Sequence, residues 1–313
     1  MEIHPTSLEM LPSIHDGATL FGTMEWAGIY EGRVEAFKIT GKADLTIGTF
    51  LLFRKSKMGL RYCITPPFAP HIGLVGYSES QKVESQQSFW KGLHQTLAEF
   101  LRKQNDALLD ICLSTSHTDS QPYTWTGFQV KPRHTYLIDL SKSQDELMSS
   151  MSPERRKNIR KGKDDGLRVE VCADKERFRK ILLLTIERQG IRLDNEIMNA
   201  LLNSQLLIDH RTMYICVKEG EDIAGGIVVW DQKRSYYLMG GYDPEIAHEG
   251  GGASILWQAM LDAKERGNTI FDFEGSMIPE IERFFRGFGG KIHTFFSIEK
   301  KSWLGHLAKL LKS

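Results

Sequence analysis

The stretch Pro244–Leu261, PEIAHEGGGASILWQAML, places three consecutive glycines, Gly250–Gly252, directly before an apolar run with helical spacing. Glycine costs backbone entropy on folding, and one glycine is enough to turn a chain. Several in a row leave the amides of a helix N-terminus unhindered, where the helix dipole favours negative charge. The pattern predicts an anion-binding loop that opens a helix; the alternative is a flexible loop that only starts one.

Strands and helices alternate on both sides of this stretch. Hydrophobic periodicity and turn residues predict each element in turn. Before the glycines we expect a strand at Leu167–Cys172, helices near Lys175–Gln189 and Asp194–Ser204, and a strand pair in TMYICVKEG and IAGGIVVWDQKRSYYLMGGYD. After them we expect a helix near Ala253–Arg266, the strand TIFDFEG, a helix near Pro279–Arg286 and the strand IHTFFSIEK.

The first half of the chain also predicts mixed α/β structure. A hairpin turns at Lys57–Gly59, SFWKGLHQTLAEFLRKQN has helical spacing, and ALLDICLS and HTYLIDLS are strand-like. Ser152 and Pro153 form a good helix start. These observations divide the chain into an N-terminal domain at residues 1–145, a C-terminal domain at 146–300 and a basic tail at 301–313; we expect the N-terminal domain to be the acceptor-binding half.

Composition limits the partners and the compartment. The 313 residues contain 40 Lys plus Arg and 40 Asp plus Glu, so there is no overall bias toward nucleic acid, and we expect no DNA partner. The four cysteines stand singly, with no Cys/His cluster at metal spacing, so no metal is expected. The N-terminus lacks the basic and apolar regions of a signal peptide, and no apolar run is long enough to span a membrane, which predicts a cytoplasmic protein.

The spacing His248-x-x-Gly251-x-Ala253 resembles the Arg/Gln-x-x-Gly-x-Gly/Ala loop with which Gcn5-related N-acetyltransferases hold the coenzyme A pyrophosphate. With YYLMGGYD, TIFDFEGS, ERFFRGFGG and the upstream RRKNIRKGK, the order of motifs is similar to the FemAB-like or BioF2-like acyltransferases, most strongly over Thr135–Gly290. The resemblance implies an α/β (α+β) fold of two tandem Gcn5-related domains, each a mixed twisted sheet flanked by helices. It also implies an acyl-CoA donor, held by the loop residues His248, Glu249, Gly250, Gly251, Gly252 and Ala253.

Three departures limit this resemblance. His248 stands where the family loop has Arg or Gln, and would be a weaker, pH-dependent donor. Phe285 stands where the family often has a functional lysine, although Arg286 follows it. The long helical arm with which bridge-forming family members grip transfer RNA has no counterpart between Lys175 and Arg211, so transfer RNA is the less favoured donor.

The strands expected on either side of the glycine loop carry the candidate catalytic residues. Asp272 and Glu274 alternate in TIFDFEGS and are expected on one strand face, with Glu274 as general base and Asp272 binding substrate; Asp272 could instead cap a helix or pair with an arginine. Arg286 is a candidate for stabilising an oxyanion, or alternatively an ordinary cation at a helix C-terminus. Tyr237 is a candidate proton donor to a leaving thiolate and Tyr242 a substrate contact, unless both pack at a sheet edge.

Two basic segments remain. In RRKNIRKGK, Arg156 and Arg160 are four apart and could meet phosphates of a substrate, although most cations of such a helix are simply solvated. The tail KKSWLGHLAKLLKS has a basic amphipathic pattern. It could touch the inner face of an anionic membrane or dock on its own domain.

The sequence therefore supports two functions. The first is an N-acyltransferase that moves an acyl or aminoacyl group from a thioester or aminoacyl-tRNA to an amine, such as a small molecule or a cell-wall or polysaccharide precursor. The second is a non-catalytic transferase-like module that binds a cell-wall or nucleotide-linked precursor. The substitutions at the His248 and Phe285 positions favour the second.

Overall fold

The computed structural model describes residues 1–30, 32–190 and 194–301. The chain forms two compact units, one of Met1–Arg133 with residues 294–301 and the other of His134–His293. The units therefore divide the chain at residues 133 and 293. The predicted division at residues 145 and 300 remains a proposal about functional halves.

The first unit is built on an antiparallel meander and one long helix. Its helices are α1 (Met24–Ala27), α2 (Val83–Lys103) and α3 (Gln121–Trp125). Its strands are β1 (Glu2–Thr6), β2 (Val34–Thr40), β3 (Thr46–Lys57), β4 (Leu60–Ile64), β5 (Val75–Gly76) and β6 (Leu108–Cys112). The order β1-β2-β3-β4-β6 is antiparallel except for the parallel β4–β6 pair, and β5 pairs with β3.

The long helix packs on one face of this sheet. Leu93, Leu97 and Leu101 of α2 are fully buried, and they recur at helical spacing beside apolar strand residues such as Phe50 and Leu109. Burial of that apolar stripe is what holds an amphipathic helix on a sheet. Strand β6 also pairs antiparallel with residues 297–301.

The second unit surrounds the glycine loop. Its helices are α4 (Gln144–Ser150), α5 (Pro153–Asp164), α6 (Lys175–Gln189), α7 (Asn195–Asn203), α8 (Gly251–Glu265) and α9 (Pro279–Arg286). Its strands are β7 (Gln129–Asp139), which begins in the first unit, β8 (Arg168–Val171), β9 (Arg211–Lys218), β10 (Glu221–Trp230), β11 (Arg234–Tyr242) and β12 (Ile270–Asp272). The last strand, β13 (Lys291–Lys301), begins in this unit and then pairs antiparallel with β6 of the first unit.

The sheet of the second unit is mixed, in the order β7-β12-β11-β10-β9-β8. Only β11 and β12 run parallel, joined by the crossover through α8. The core against α8 includes Tyr214, Leu256, Met260, Phe271 and Phe288, all fully buried. This face anchors α8, and so it fixes where the glycine loop lies.

Most predicted elements are confirmed. The hairpin turns at Met58 and Gly59, both with positive φ, and α8 begins directly at the glycines. The strand predicted as TIFDFEG is shorter than expected: it ends at Asp272, because Glu274 takes a left-handed φ of 56° that breaks the extended chain. The predicted amphipathic tail lies beyond Lys301, outside the described residues. No helix in the described ranges is long and apolar enough to cross a membrane.

Candidate active site

The N-terminus of α8 presents unengaged backbone donors. The Gly251 amide donates to the carbonyl of His248 at 2.9 Å, and the Ser254 amide begins the regular helical bonding by donating to Gly250 at 2.8 Å. Between them, the amides of Gly252 and Ala253 have no acceptor among the described residues. Gly252 is partly exposed and Ala253 is buried beneath it. Two orphan amides at the positive end of a helix are suited to an anion.

Gly250 is required by close packing rather than by flexibility. A Cβ atom built on Gly250 would lie 2.7 Å from the carbonyl oxygen of Asn158 and 2.9 Å from the Cα of Gly162, both on α5. Only glycine lets the loop approach the helix backbone so closely. Gly251 and Gly252 are different, because Cβ atoms there would make ordinary contacts of 3.4 Å and 3.5 Å.

His248 serves the loop itself. Its Nδ1 accepts a hydrogen bond from the Gly250 amide at 2.9 Å, and its Nε2 lies 2.9 Å from Asp165 Oδ2. Because Nδ1 must accept, the proton of the neutral ring is on Nε2 and is donated to Asp165. Both ring nitrogens are thus used within the protein. The bond to His248 holds the pKa of the Asp165 carboxyl below its usual range.

Glu249 faces outward and carries an ion pair. Its side chain bonds Lys161 of α5, and its carbonyl accepts a hydrogen bond from Asn158 Nδ2 at 3.1 Å. The hydrogen bond and charge of Lys161 hold the pKa of the Glu249 carboxyl below its usual range. Glu249 therefore ties the loop to α5, and its negative charge is compensated.

Arg155 is the site residue that sequence reasoning missed. Its side chain is 5% exposed, its guanidinium lies 4.2 Å from the ring centre of Phe284 and 5.5 Å from that of Phe288, and its buried Nε has no hydrogen-bond partner in the described chain. The ring of Phe284 is also the nearest neighbour of Gly252. An arginine stacked in this way is held in place by cation–π attraction beside the helix start.

A second unsatisfied group lies one turn along the same helix. Asn158 is buried, and its Oδ1 has no partner among the described residues although its Nδ2 bonds the glycine loop. Arg155, Asn158 and Gly162 recur at intervals of three and four residues, which puts them on one face of α5. That spacing was the signal available in the sequence, hidden by the many cations around it.

The strands β11 and β12 diverge beside the loop. They pair only from Arg234–Tyr236 with Ile270–Asp272, so Tyr237 begins the part of β11 that pairs with β10 alone. A bulge in the β10–β11 register falls at the same place, between Ile227 and Val228. In open α/β sheets, ligands bind in the crevice at the carboxyl ends of parallel strands. Tyr237 ends one side of this opening and Glu274 follows the other strand.

Tyr237 is held tightly but keeps its hydroxyl free of protein hydrogen bonds. Its ring meets Phe285 edge-on at 5.9 Å, and its hydroxyl occupies the space beside Gly240, where a Cβ would be only 1.9 Å away. No described residue accepts its proton or donates to it. Burial raises the pKa of the Tyr237 phenol well above its usual range, so the group stays protonated near neutral pH.

Asp272 and Glu274 have different environments. Asp272 is buried and fully engaged, accepting from Thr135 at 2.7 Å and from the Glu274 amide at 2.8 Å and pairing with Arg234 at 3.1 Å. Burial raises the pKa of Asp272, and Arg234 opposes that rise. The buried Oε1 of Glu274 has no partner within the described residues, and burial together with the Asp272 charge raises the pKa of Glu274 well above its usual range.

The remaining predicted site residues lie elsewhere on the unit. Arg286 is 60% exposed and pairs with Glu282 one turn away at 2.9 Å. Arg156 donates from Nη1 to the carbonyls of Ser149 and Met151, which end α4. Arg160 is exposed and makes no ion pair with described residues, and Tyr242 is an exposed ring covered by the Arg188 guanidinium at 4.2 Å.

Comparison with protein families supports a transferase. Residues 150–284 match the family described as Acetyltransferase (GNAT) domain, and residues 98–197 match the FemAB family. The acetyltransferase match contains the glycine loop, Tyr237, Glu274 and Arg155. The resemblance to the FemAB and GNAT families is confirmed. No curated protein sequence matches the chain.

Solved structures share the fold. The structure of FemX is 16% identical, with 95% of this chain and 97% of that chain covered at a TM-score of 0.68. The DUF2156 domain of a putative lysylphosphatidylglycerol synthetase from Agrobacterium fabrum is 11% identical, with 92% and 90% covered and a TM-score of 0.59. A tandem GNAT protein from the clavulanic acid biosynthesis pathway is 11% identical, with 95% and 97% covered and a TM-score of 0.54. The mixed α/β, tandem GNAT-like fold expected from the sequence is confirmed.

Proposed function

We propose that the protein is an N-acyltransferase that takes its acyl group from a coenzyme A thioester and transfers it to an amine. The observation that carries this proposal is the start of α8, where the Gly252 and Ala253 amides lack acceptors within the described chain. It lies inside the residues that match an acetyltransferase domain. A pyrophosphate is the ligand class that such a helix start favours.

The residues around the loop fit such a donor. The Gly252 amide would donate to a phosphate oxygen, and the absence of a side chain at Gly252 leaves room for it. Arg155 supplies a positive charge on the ring of Phe284, the same ring that a Cβ atom at Gly252 would meet at 3.5 Å. His248 would hold the loop in shape rather than bind the phosphate, because both ring nitrogens are used. When bound, the thioester supplies an activated acyl carbon.

Glu274 and Tyr237 supply the proton transfers in this proposal. The attacking amine forms a bond to the acyl carbon and the carbon–sulfur bond breaks. Glu274 accepts the amine proton, and its raised pKa makes it a stronger base than an ordinary carboxylate once ionised. Tyr237 gives its hydroxyl proton to the leaving thiolate. Arg286, which pairs with Glu282 and is largely exposed, stays a predicted contributor to oxyanion stabilisation.

The helices before the glycine loop and the FemAB match bear on the donor and acceptor classes. Helices α6 and α7, of 15 and 9 residues, lie where bridge-forming FemAB transferases carry a long arm for transfer RNA, which favours coenzyme A over aminoacyl-tRNA. The FemAB match supports an amine of a cell-wall precursor as acceptor, with a small-molecule amine as the alternative.

Gly252→Glu tests the donor site. A glutamate in the first turn of α8 suits the helix dipole, so the fold should be retained, while its carboxylate repels a phosphate. Calorimetric titration with coenzyme A and acetyl-CoA should show binding to the wild-type chain and at least about tenfold weaker binding to the variant.

Gly92→Glu is the matched control. Gly92 is also a helical glycine with an ordinary nearest contact, 3.5 Å from Met1, and it lies in α2 of the first unit. It should bind like wild type. Unchanged binding by Gly252→Glu would remove the loop from the donor site. Binding of charged transfer RNA but not of coenzyme A would replace the thioester as donor.

A non-catalytic binding module is the second candidate function. It is favoured by His248, which stands at the family's Arg/Gln position but bonds Gly250 and Asp165. Release of free thiol from acetyl-CoA in the presence of amines decides between the two. If muropeptides stabilise the chain against heat but no amine releases thiol, the protein binds without turnover.

A further inference from the structure

A cavity of about 540 Å³ opens in the first unit, away from the residues discussed so far. It lies at the end of β1, where the chain turns away from β2. Strand β1 pairs with β2 only as far as Thr6 and Ala36. Val34 and Glu35, which precede Ala36 in β2, therefore have no strand partner on that side. The end of α2 closes the other side with Phe100 and Gln104. The volume is within the range of small-molecule sites.

Two cations, Arg54 and Arg61, and one anion, Glu35, line this cavity, and the exposed Arg61 and Glu35 are each held by a more buried partner. Arg61 donates from Nε to Asp106 at 2.7 Å, and Glu35 accepts from Arg54. The side chains of Asp106 and Arg54 are only 1% and 9% exposed, whereas those of Arg61 and Glu35 are 45% and 49% exposed. The buried pair therefore fixes the two exposed groups in position.

The exposed groups keep binding capacity toward the cavity. Among the described residues, Asp106 accepts a hydrogen bond only from the Nε of Arg61. The terminal amino groups of Arg61 have no partner in the described chain and remain available for a carboxylate. Arg54 occupies one oxygen of Glu35, which leaves the other available for an ammonium group. The buried Arg54 Nε lies 3.5 Å from Asp106 Oδ1 as an ion pair, but neither this Nε nor Asp106 Oδ2 has a hydrogen-bond partner within the described residues. Such a network is costly as a purely structural device.

The balance of charge selects the ligand class. Two arginines and two carboxylates cancel, so a simple anion or a simple cation gains no net attraction from the cluster. A molecule with both charges matches Arg61 and Glu35 together. The remaining walls include the apolar Pro5, Phe37 and Phe100, which suit a hydrophobic body.

We propose that this cavity binds a zwitterionic amino acid or dipeptide with an apolar side chain, its carboxylate on Arg61 and its ammonium on Glu35. This site is separate from the α8 loop and does not depend on the identity of the acyl donor.

Titration of the wild-type 313-residue chain tests which ligand charges are needed for binding. Calorimetric titration compares L-leucine with N-acetyl-L-leucine, which lacks the ammonium, and L-leucinamide, which lacks the carboxylate. Leucine should bind saturably, and each derivative should bind at least about tenfold more weakly. Equal binding of all three, or no binding of leucine at millimolar concentration, would overturn the proposal.

Substitutions test whether Arg61 and Glu35 bind the ligand. Arg61→Met and Glu35→Gln should each weaken leucine binding about tenfold or more. Lys55→Met and Glu99→Gln make the same charge changes at exposed positions outside the cavity and should leave binding unchanged. Binding that survives both cavity variants places leucine elsewhere. Coenzyme A binding by Arg61→Met should match wild type, so this result and that of the donor site can be distinguished.

Discussion

Gly250 is packed closely against the backbone of α5, whereas its neighbour Gly251 has room for a Cβ atom. Gly250→Ala would drive a Cβ to 2.7 Å from the backbone of α5, which cannot move without shifting the helix. We expect a loss of about 1–3 kcal/mol in unfolding free energy, the usual cost of overpacking. Gly251→Ala meets the side chains of Ala224 and Ile223 at ordinary contact distances of 3.4 Å, and should be neutral or stabilise by up to about 1 kcal/mol, because alanine favours a helix. Urea unfolding of both variants measures the contrast, and equal effects would contradict this account of the triplet.

The raised pKa of Glu274 should make the free energy of unfolding fall as pH rises. Its folded-state pKa lies well above that of the unfolded chain, so the folded protein binds more protons between those two values. The stabilisation is complete below about pH 4.5 and is lost as pH rises through the folded pKa, at up to about 1.4 kcal/mol per pH unit. Glu274→Gln removes this dependence, which urea unfolding at a series of pH values would detect.

Glu274→Gln should have a much larger effect on the rate of acyl transfer than on the free energy of unfolding. Loss of a general base typically costs about 10²–10⁴-fold in rate. Glu245→Gln, at an exposed position in the loop before the glycines, is the control and should retain wild-type activity. A Glu274→Gln enzyme with normal turnover would remove Glu274 from the proton transfer.

At the scale of elements, local signals in the sequence were sufficient for the starts of α5, α6 and α7. Ser152, Asp174 and Asp194 each accept hydrogen bonds from backbone amides of the helix that follows, as their residue types predict. The end of β12 could not be predicted, because the left-handed turn at Glu274 depends on a bond from its amide to Asp272 and on the close approach of Gly275 to His134. Strand alternation carries no information about such tertiary constraints.

The candidate site was predictable only in part for the same reason. The glycine loop was visible as a pattern, but the partner of His248 is Asp165, on a distant part of the chain. Arg156 resembled a phosphate ligand, yet it caps α4. Arg155 resembled a solvated cation, yet it is buried between aromatic rings. Adjacent arginines differ in role because the helix turns them toward different neighbours.

Helix α5 allows a direct test of that difference. Arg155→Lys loses the planar stacking on Phe284 and Phe288, and we expect it to cost about 1–2 kcal/mol of unfolding free energy. Arg160→Lys, on the exposed side of the same helix, should change stability by less than about 0.5 kcal/mol. Urea unfolding of the two variants compares them at equal charge. Similar stabilities would mean that the stacking contributes nothing.

At the scale of the whole molecule, the two units should respond to pH in opposite directions. In the first unit, burial lowers the pKa of His94 from 6.5 to about 3, and burial also lowers that of His117. Their rings lie 5.0 Å apart, and His94 bonds Tyr123 at 2.9 Å. The unfolded chain therefore binds more protons than the folded unit, so stability falls as pH drops below about 6.5.

In the second unit, Asp272 and Glu274 have raised pKa values, so the same acidification adds stability there. Hydrogen exchange at pH 7 and pH 5, corrected for intrinsic exchange rates, should therefore show α2 and β6 losing protection while α8 and β10 keep or gain it. His94→Gln should flatten the response of the first unit, at up to about 1.4 kcal/mol per pH unit below pH 6.5. Parallel loss of protection in both units would contradict the assignment of these buried groups as the dominant titrating residues.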